Sequence, residues 1–561
     1  MVRLSDKRAI ADLVNICHAR SLRRVIISPG SRNAPLSISF LGHGGFQVEV
    51  ISDERVAGFI ALGMSQSDEV PTILVCTSGS AMLNYLPAVS EAFYQRIPLL
   101  ILTADRPEEW VDQMEGQTMR QRGAMSNFVN SEYQLPQEAS GGDRLRYSQR
   151  IVNEAITSAS YPKAGPVHIN IPLKEPLYGT TDLKSIPLAT IEPLFPQAIV
   201  PAESEINKLR KELDDYSKVM LIVGLDKFGA IASELISNLH KVGIVVLNET
   251  SSNSASGEAL SWIDRSIAAI PKDSKHDYIP DLVITAGGPL ISKRIKTLFR
   301  SEKIKAHWHI DDAEADKDIF LSLTKAIFAN AAALLTRLVE QTSERDLSFV
   351  RKWTSLNELV TEKHEEFLAK TPFSDLKGYQ IVLDAIPENC RLQMANSAAV
   401  RYVQLFENRK DISYFGNRGV SGIEGCTSTA LGMATQTEKE VVLLTGDMAF
   451  RYDGNAFWNS LRPSNLKCVV FNNQGGGIFR IIPGPDSTDH LESAFEAHQE
   501  NSARALAEIY DIKYFSAGTE AELNDVVKDF FKLRELAILE IFTPREKNAD
   551  ILRAYFDHLA S

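Results

Sequence analysis

The stretch Val441–Gly477 decides the fold of this chain, and it reads VVLLTGDMAFRYDGNAFWNSLRPSNLKCVVFNNQGGG. Its two apolar, β-branched runs, Val441–Leu444 and Cys468–Phe471, are typical of buried strands in a parallel sheet. The pair Gly446-Asp447 follows the first run, and the pair Asn472-Asn473 follows the second. Because ligands of open α/β sheets bind at the carboxyl ends of the strands, we expect a carboxylate and an amide to lie together at one edge.

The oxygen donors expected at that edge favour a magnesium ion. Carboxylate, amide and backbone carbonyl oxygens are hard donors, and Mg²⁺ combines a few of them with phosphates and water. Gly446 and the run Gly475–Gly477 allow the backbone to approach a ligand closely. A Gly-Asp pair alone is usually an ordinary turn, so the specificity of the pattern comes from its combination with the two asparagines.

Length and composition limit the classes of protein. With 561 residues, the chain is expected to form several domains. The net charge of −12 argues against nucleic acid or an anionic membrane as the main partner. No apolar run approaches the roughly 20 residues that span a bilayer, and the N-terminus lacks the apolar core of a signal peptide, so we expect a cytoplasmic enzyme. The five scattered cysteines predict buried thiols, with neither disulfides nor a zinc site.

The rest of the chain alternates predicted strands and helices, which indicates doubly wound parallel sheets. Apolar runs predict the following strands: Arg24–Ser28, Val48–Ser52, Thr72–Cys76, Leu99–Thr103, Val167–Ile171, Val219–Val223, Ile244–Leu247, Leu282–Thr285, His307–Ile310, Leu392–Ala395, Ile412–Phe415 and Leu536–Phe542. We therefore predict an α/β protein of three such domains, residues 1–184, 185–353 and 354–561. A Pro-rich segment, residues 186–204, follows the first of them.

The central domain shows no signature of dinucleotide binding. Gly287-Gly288 is accompanied by no GxGxxG motif with an acidic residue at the required distance, which argues against NAD. The basic pair Lys293-Arg294 is predicted to open a helix, as a solvated face or as part of a site. The charged segment Thr354–Lys370 is predicted to be helical, with its KHEEF sequence exposed.

Glu54 is predicted to begin a helix directly after a strand. By position alone, its carboxylate is most simply explained by the helix dipole. Several cationic and polar side chains also fall on the turns that follow predicted strands, and a single Arg of this kind is usually a surface ion pair. Their shared position in an acidic protein nevertheless favours a site for a polyanion, because Arg matches carboxylates in a bidentate geometry. These residues are Ser31, Arg32, Arg106, Gln117, Arg120, Ser397, Arg401 and Arg418.

The spacing of the Gly-Asp and Asn-Asn turns resembles the metal–diphosphate signature of thiamine diphosphate enzymes. The resemblance implies that Asp447, Asn473 and the backbone carbonyl of Gly475 hold Mg²⁺ or Mn²⁺. Gly446 and Met448 would lie beside the cofactor, although many members have Gly at the position of Met448.

The same resemblance assigns roles to three further residues. The carboxylate of Glu54 would contact N1′ of the cofactor's aminopyrimidine ring and act in catalysis. Gly422 and Ile423 would bind the cofactor, and Ile423 would be the bulky residue that keeps it bent.

Six motifs in this order narrow the resemblance: SPGSRNAPL, ISDERVAGFIALG, ILTADRP, GQTMRQ, NRGVSGIEG and GDMAF…NNQGGGIF. Over essentially the whole chain they are similar to the 2-succinyl-5-enolpyruvyl-6-hydroxy-3-cyclohexene-1-carboxylate synthase family. That family decarboxylates 2-oxoglutarate on thiamine diphosphate and adds the succinyl-semialdehyde unit to isochorismate, in menaquinone biosynthesis. The resemblance implies substrate contacts at Ser31, Arg32, Arg106, Gln117, Lys293, Arg294, Ser397, Arg401, Arg418, Ile478 and Phe479. It also implies that Ser31, Arg32 and Gln117 are catalytic residues.

The resemblance also implies an oligomer, because in this family the cofactor lies between two subunits. The predicted state is a homodimer or homotetramer with two-fold symmetry. Two other functions stay open: another thiamine diphosphate-dependent 2-oxo acid decarboxylase or carboligase, and a non-catalytic binding protein that keeps the fold. The presence of Glu54, Asp447 and Asn473 argues against the second.

Overall fold

The structure is a computed structural model that describes residues 3–182, 190–196, 198–226, 229–254, 260–261, 263–340, 345–482 and 484–561. The strands are β1 (Leu4–Ser5), β2 (Arg24–Ile27), β3 (Gln47–Val50), β4 (Thr72–Cys76), β5 (Leu99–Asp105), β6 (Ser131–Gln134), β7 (Pro166–Pro172), β8 (Thr180–Thr181), β9 (Val219–Val223), β10 (Ile244–Asn248), β11 (Leu282–Ala286), β12 (Ala306–Asp311), β13 (Leu323–Phe328), β14 (Arg391–Met394), β15 (Ser413–Phe415), β16 (Val441–Gly446), β17 (Leu466–Asn472), β18 (Lys513–Ala517) and β19 (Ala537–Phe542). The helices are α1 (Arg8–Ala19), α2 (Ala34–His43), α3 (Glu54–Gln66), α4 (Ala81–Asn84), α5 (Leu86–Gln95), α6 (Gly142–Ser158), α7 (Glu203–Asp214), α8 (Ser233–Lys241), α9 (Ile263–Ala268), α10 (Lys293–Ser301), α11 (Ala331–Val339), α12 (Ser348–Lys370), α13 (Asp375–Ala385), α14 (Ala398–Val403), α15 (Cys426–Ala434), α16 (Asp447–Tyr452), α17 (Ile478–Ile481), α18 (Arg504–Ile509), α19 (Glu520–Lys532) and α20 (Lys547–Ala560).

The chain divides into two compact units. The first contains the chain up to Phe195 together with Asn417–Glu438 and Ala449–Leu466, and the second contains Pro196–Gly416, Lys439–Met448 and Lys467–Ser561. None of the helices in the described ranges combines the length and the apolar character that crossing a bilayer requires.

The first unit is built on a six-stranded parallel sheet of order β3-β2-β4-β5-β7-β6. Side chains of α1, α2 and α6 form one apolar core with strand residues such as Val25, Ile73 and Val167. Against α3 lies α15, and the two helices approach so closely that a Cβ on Gly63 would overlap the carbonyl oxygen of Thr429. The short strands β1 and β8 pair antiparallel beside this sheet.

The second unit contains two parallel sheets. One has five strands in the order β10-β9-β11-β12-β13, and the other has six in the order β15-β14-β16-β17-β19-β18. In the six-stranded sheet β16 and β17 are neighbours, as the sequence predicts. All three large sheets are parallel and carry helices, so the predicted α/β class is confirmed.

The strands that the sequence missed are mainly edge strands. β6, β13 and β18 each lie at one end of a sheet and carry polar or charged residues among their apolar ones. Because an edge strand keeps one side near solvent, it lacks the continuous apolar run that marks a buried parallel strand.

One expectation about exposure was wrong. The KHEEF sequence lies in α12, as predicted, but His364 within it is buried, and its Nδ1 lies 2.7 Å from the hydroxyl of Tyr555. Burial lowers the pKa of His364 to about 3, so the ring is neutral at physiological pH. All five cysteines are free and buried, as the sequence predicts.

The three-domain boundaries stay a prediction. The first, at residues 184–185, falls outside the described residues, as does part of the Pro-rich segment. The second, at residues 353–354, falls inside α12.

Candidate functional site

Asp447 and Asn473 stand directly after the neighbouring strands β16 and β17. Asp447 is the first residue of α16, and only 3% of its surface is exposed. Asn473 is 8% exposed. Two buried oxygen-bearing side chains therefore follow adjacent strand ends, at the edge where parallel sheets bind their ligands.

The amide of Asn473 has a fixed orientation. Its Nδ2 donates to Oδ2 of Asp375 at 3.2 Å, and Asp375 Oδ1 accepts a hydrogen bond of 2.6 Å from the hydroxyl of Thr543. Because this carboxylate accepts at both oxygens, the Asn473 nitrogen faces Asp375 and the oxygen points away. Within the described part of the chain, that buried Oδ1 accepts no hydrogen bond.

These residues fit a divalent metal ion. A buried amide oxygen left with unused acceptor capacity costs free energy unless a ligand satisfies it. Together with the Asp447 carboxylate and a backbone carbonyl, it would complete the all-oxygen donor set that Mg²⁺ prefers. Sequence reasoning missed Asp375, which lies 98 residues before Asn473 and carries no local motif.

The first asparagine of the pair has a different, structural role. Asn472 Oδ1 accepts a hydrogen bond from the backbone N–H of Gln474 at 3.0 Å, which shapes the turn. Its Nδ2 donates to Glu540 Oε1 at 2.7 Å, inside the sheet. This difference agrees with the predicted use of Asn473 as the ligand.

The glycines after Asn473 adopt a conformation that needs glycine. Gly475 has a φ of +152°, and a Cβ there would lie 2.7 Å from the carbonyl oxygen of Glu496. The same carbonyl accepts the N–H of Gly476 at 2.7 Å. Arg480 and Arg545 form ion pairs with the buried Glu496 carboxylate, at 2.7 and 2.6 Å. The predicted ligand carbonyl of Gly475 thus lies in a firmly held loop.

Glu54 begins α3, as predicted, and Asp53 caps the helix. Asp53 Oδ1 accepts the N–H groups of Arg55 and Val56 at 3.0 and 3.2 Å, so the cap does not use the Glu54 side chain. Glu54 is half-buried, and its Oε2 lies 3.5 Å from Nδ2 of Asn84. Burial raises the pKa of Glu54, so its carboxyl group is suited to share a proton with a basic ring nitrogen.

The predicted substrate residues of the N-terminal segment occupy three loops of the first unit. Ser31 and Gln117 are exposed, whereas Arg32 is 4% exposed and donates to the Leu173 carbonyl at 3.0 Å. Arg106 donates to the Gly116 carbonyl at 3.1 Å. Burial and the positive charge of Arg106 both lower the pKa of Arg32.

A buried glutamine, which the sequence did not single out, joins these loops. Gln121 accepts the N–H of Gly79 at 2.8 Å and donates to the Ala104 carbonyl at 3.1 Å and to Asn170 Oδ1 at 2.9 Å. Gly79 in turn packs against the backbone of Gln117. Gln121 is the last residue of the GQTMRQ motif, and its place in that motif is the sequence feature that could have identified it.

In the second unit, two predicted substrate residues interact electrostatically with Asp264. Its Oδ1 accepts the hydroxyl hydrogen of Ser292, the residue that caps α10 just before Lys293 and Arg294. Burial raises the pKa of Asp264, and the charges of Arg294 and Arg401 act in the opposite direction. The charges of Arg294 and Arg401 therefore both favour the ionised form of one buried carboxyl group.

The remaining predicted contacts of the second unit are placed as follows. Lys293 and Arg294 are exposed, and the Arg294 guanidinium lies 4.0 Å from the ring centre of Phe556. Arg401 donates to the Ser397 carbonyl, and Ser397 has a φ of +73°. Ile478 and Phe479 open the short helix α17, both half-buried.

Arg418, Gly422 and Ile423 lie on one connecting segment of the first unit, before α15. Arg418 is 8% exposed, and Ile423 is half-buried. The carboxylate of Glu91 holds the backbone between them, a contact that no local sequence feature predicts.

Comparison with known proteins finds two thiamine pyrophosphate enzyme domains in this chain. Residues 8–127 match the thiamine pyrophosphate enzyme N-terminal TPP binding domain, and residues 395–541 match the corresponding C-terminal TPP binding domain. Glu54 lies in the first match, and Asp447 and Asn473 lie in the second. A solved structure of benzoylformate decarboxylase from Polynucleobacter necessarius shares the fold, with a TM-score of 0.73 over 96% of this chain and 99% of that one, at 16% identity.

Relatives at higher identity bear a single name, 2-succinyl-5-enolpyruvyl-6-hydroxy-3-cyclohexene-1-carboxylate synthase. The protein of Porphyromonas gingivalis is 39% identical over 99% of this chain and 98% of its own length. Those of Flavobacterium psychrophilum and Flavobacterium johnsoniae are 38% and 39% identical, each over 98% of both chains. On this near full-length similarity and both TPP binding domains, the chain belongs to the 2-succinyl-5-enolpyruvyl-6-hydroxy-3-cyclohexene-1-carboxylate synthase family of thiamine pyrophosphate enzymes.

Proposed function

We propose that this protein decarboxylates 2-oxoglutarate on thiamine diphosphate and adds the resulting four-carbon unit to isochorismate, as a step of menaquinone biosynthesis. The near full-length similarity to synthases of that name carries the proposal. The arginine-rich loops support it, because both substrates are dicarboxylates and each carboxylate needs a cationic partner when it leaves water.

The cofactor would supply the electron sink for loss of carbon dioxide. Asp447, Asn473 and the carbonyl of Gly475 would hold Mg²⁺ or Mn²⁺, which in turn would bind the diphosphate. Glu54, whose pKa burial raises, would hold a proton at the ring nitrogen N1′ of the aminopyrimidine.

The substrate carboxylates would bind to arginines whose side chains the fold already orients. Arg32 and Arg106 belong to one group, in the first unit, and Arg401 belongs to another, in the second. Ser31, Gln117, Ser397, Lys293, Arg294 and Arg418 would contribute further polar contacts, with Ile478 and Phe479 as an apolar wall. Guanidinium groups already held in place lose little side-chain entropy when they bind a carboxylate.

The protein would act as a homo-oligomer with two-fold symmetry. In its family the cofactor lies between subunits, so Glu54 of one chain would serve the Asp447 site of another. The active unit would then be a dimer or a multiple of it.

The substrate assignment is tested with purified protein, thiamine diphosphate, Mg²⁺ and pairs of substrates. We expect isochorismate consumption and carbon dioxide release in equal amounts with 2-oxoglutarate, and negligible turnover with pyruvate in its place. Faster turnover of pyruvate, or carbon dioxide release that is independent of isochorismate, would instead indicate another thiamine diphosphate-dependent decarboxylase or carboligase.

A further inference from the structure

The buried carboxylate of Glu91 forms hydrogen bonds with the backbone of the loop that precedes α15. Glu91 lies on α5 and is 2% exposed. It accepts the backbone N–H groups of three successive residues: Gly419 at 2.6 Å, Val420 at 2.7 Å and Ser421 at 3.2 Å. The two partners are more than 300 residues apart in sequence, so this contact exists only in the folded chain.

The loop is shaped to fit this carboxylate. A Cβ at Gly419 would lie 2.6 Å from the backbone carbonyl of Glu91, so only glycine permits this approach. Ser421, whose N–H also donates to this carboxylate, has a φ of +67°, a left-handed conformation that is uncommon for a residue other than glycine. Hydrogen bonds from N–H groups to a charged carboxylate are stronger than those to a neutral acceptor.

Two buried glutamines orient Glu91 from the other side. The side-chain amide of Gln95 donates to Glu91 Oε1, and Gln95 Oε1 accepts the amide of Gln66 at 3.2 Å. Both glutamines are at most 4% exposed. The Glu91 carboxylate therefore receives hydrogen bonds from the loop and from α5, which leaves it little freedom to move.

We propose that Glu91 is a positioning residue for the active site: it fixes the backbone of Gly419–Ser421 and thereby places Arg418 on one side and Ile423 on the other. This inference rests on the proposed function, in which Arg418 would make a polar contact with a substrate, and on the family resemblance, which puts Ile423 beside the cofactor. Glu91 touches neither ligand and acts through the loop. Without it, three N–H groups lose their acceptor and the loop gains alternative conformations.

The test uses the full chain with Glu91→Gln, which keeps the size of the side chain but replaces one acceptor oxygen with an NH₂ group facing N–H donors. We expect amide hydrogen exchange of the 416–425 peptide, measured by mass spectrometry without substrates, to rise at least about tenfold. We also expect KM for at least one of the two dicarboxylates to rise about tenfold, with a smaller change in kcat.

The matched control is Glu154→Gln, the same chemical change at an exposed position on α6. It should leave both the exchange rate and KM unchanged. Glu91→Asp keeps the charge on a shorter side chain and should recover part of both effects, which a general loss of stability would not produce. Should Glu91→Gln fail to fold, the comparison of Glu91→Asp with wild type decides.

Unchanged exchange in 416–425, or raised exchange with an unchanged KM for both substrates, would overturn the proposal. Failure of the proposed function is separable from this result. In that case wild-type protein would not consume isochorismate together with 2-oxoglutarate, and the exchange measurement would still report whether Glu91 holds the loop.

Discussion

At the scale of single residues, the adjacent side chains of Asn472 and Asn473 have different roles at the end of β17. The side chain of Asn472 forms hydrogen bonds within the sheet and the turn. Asn473 donates its Nδ2 to Asp375, so its Oδ1 points away from that carboxylate. A ligand amide is useful to a metal only when its oxygen, and not its nitrogen, faces the ion. The identity of the residue behind the ligand therefore matters as much as that of the ligand.

We predict that Asp375→Asn weakens binding of Mn²⁺ in the presence of thiamine diphosphate by about 10- to 100-fold, because an amide can present its NH₂ to Asn473 and release the fixed orientation. Titration calorimetry measures the affinity directly. Asp384→Asn, an exposed site on the same helix α13, is the control. Equal metal affinity in wild type and Asp375→Asn would contradict the assigned role.

We predict that Glu54→Gln retains thiamine diphosphate binding but lowers kcat by at least about 100-fold, because an amide holds no titratable proton for the ring nitrogen. Glu69→Gln, an exposed change just beyond the end of the same helix, should leave kcat unaltered. Steady-state assays at saturating cofactor provide the measurement, and a Glu54→Gln variant with wild-type kcat would refute the role.

We predict that the free energy of unfolding depends on pH through the buried residue Asp453. It is completely buried, its carboxylate accepts from the Ser428 N–H at 2.6 Å and hydroxyl at 2.9 Å, and burial raises its pKa to about 7. The carboxyl group of Asp453 therefore binds its proton more tightly in the folded state than in the unfolded state. The stabilisation that this protonation provides is present at acidic pH and is lost as the pH rises through about 7.

One pKa unit corresponds to about 1.4 kcal/mol, so this group should lower the free energy of unfolding by about 3 kcal/mol between pH 5 and pH 8. Urea unfolding at the two pH values measures the difference. Asp453→Asn, which does not titrate, should show a correspondingly smaller decrease. An identical decrease in both proteins would mean that Asp453 is ionised throughout the range.

At the scale of elements, the packing of α3 against α15 joins two segments that carry predicted cofactor contacts. α3 begins with Glu54, and α15 follows Ile423 by a few residues. Gly63 and Gly432 allow the contact, since a Cβ on either would overlap a carbonyl oxygen of the other helix. The small residues in SDERVAGFIALG are thus explained by close backbone approach.

We predict that Gly63→Ala lowers the free energy of unfolding by about 1–3 kcal/mol, although alanine favours a helix by about 1 kcal/mol over glycine. The added methyl group meets a backbone oxygen, which cannot move aside as a flexible side chain can. Gly141→Ala, at an exposed glycine with open space around its Cα, is the control. A Gly63→Ala variant more stable than wild type would contradict this prediction, because it would show that α3 and α15 can move apart without a loss of stability.

The same elements show which structural features a sequence reveals. Central strands such as Thr72–Cys76 and Val219–Val223 are buried on both faces and therefore consist of continuous apolar runs. From these runs the sequence predicts the first and last residue of each strand correctly. The positions of the candidate ligands Asp447 and Asn473 could be predicted because these residues directly follow such strands. Glu91 and Asp375 could not, because their partners lie far away in sequence and the chain records no local sign of the contact.

At the scale of the whole molecule, the proposed function requires that two chains share each site. We predict that a mixture of Glu54→Gln and Asp447→Asn proteins, each nearly inactive alone, recovers roughly a quarter of wild-type activity after subunit exchange. Half of the randomly formed dimers are hybrids, and each hybrid contains one site with both residues intact. Activity that stays at the level of the separate variants, despite hybrid dimers seen by native mass spectrometry, would place Glu54 and Asp447 of one chain in the same site.

The central claim is that two neighbouring strand ends hold the ion that binds a diphosphate. Its most direct test is a crystal grown with thiamine diphosphate and Mn²⁺, with anomalous diffraction used to locate the metal. We predict one strong peak per chain, about 2.1 Å from a carboxylate oxygen of Asp447, from Oδ1 of Asn473 and from the carbonyl oxygen of Gly475. A Mn²⁺ peak beside the bound diphosphate that contacts neither Asp447 nor Asn473 would contradict the account.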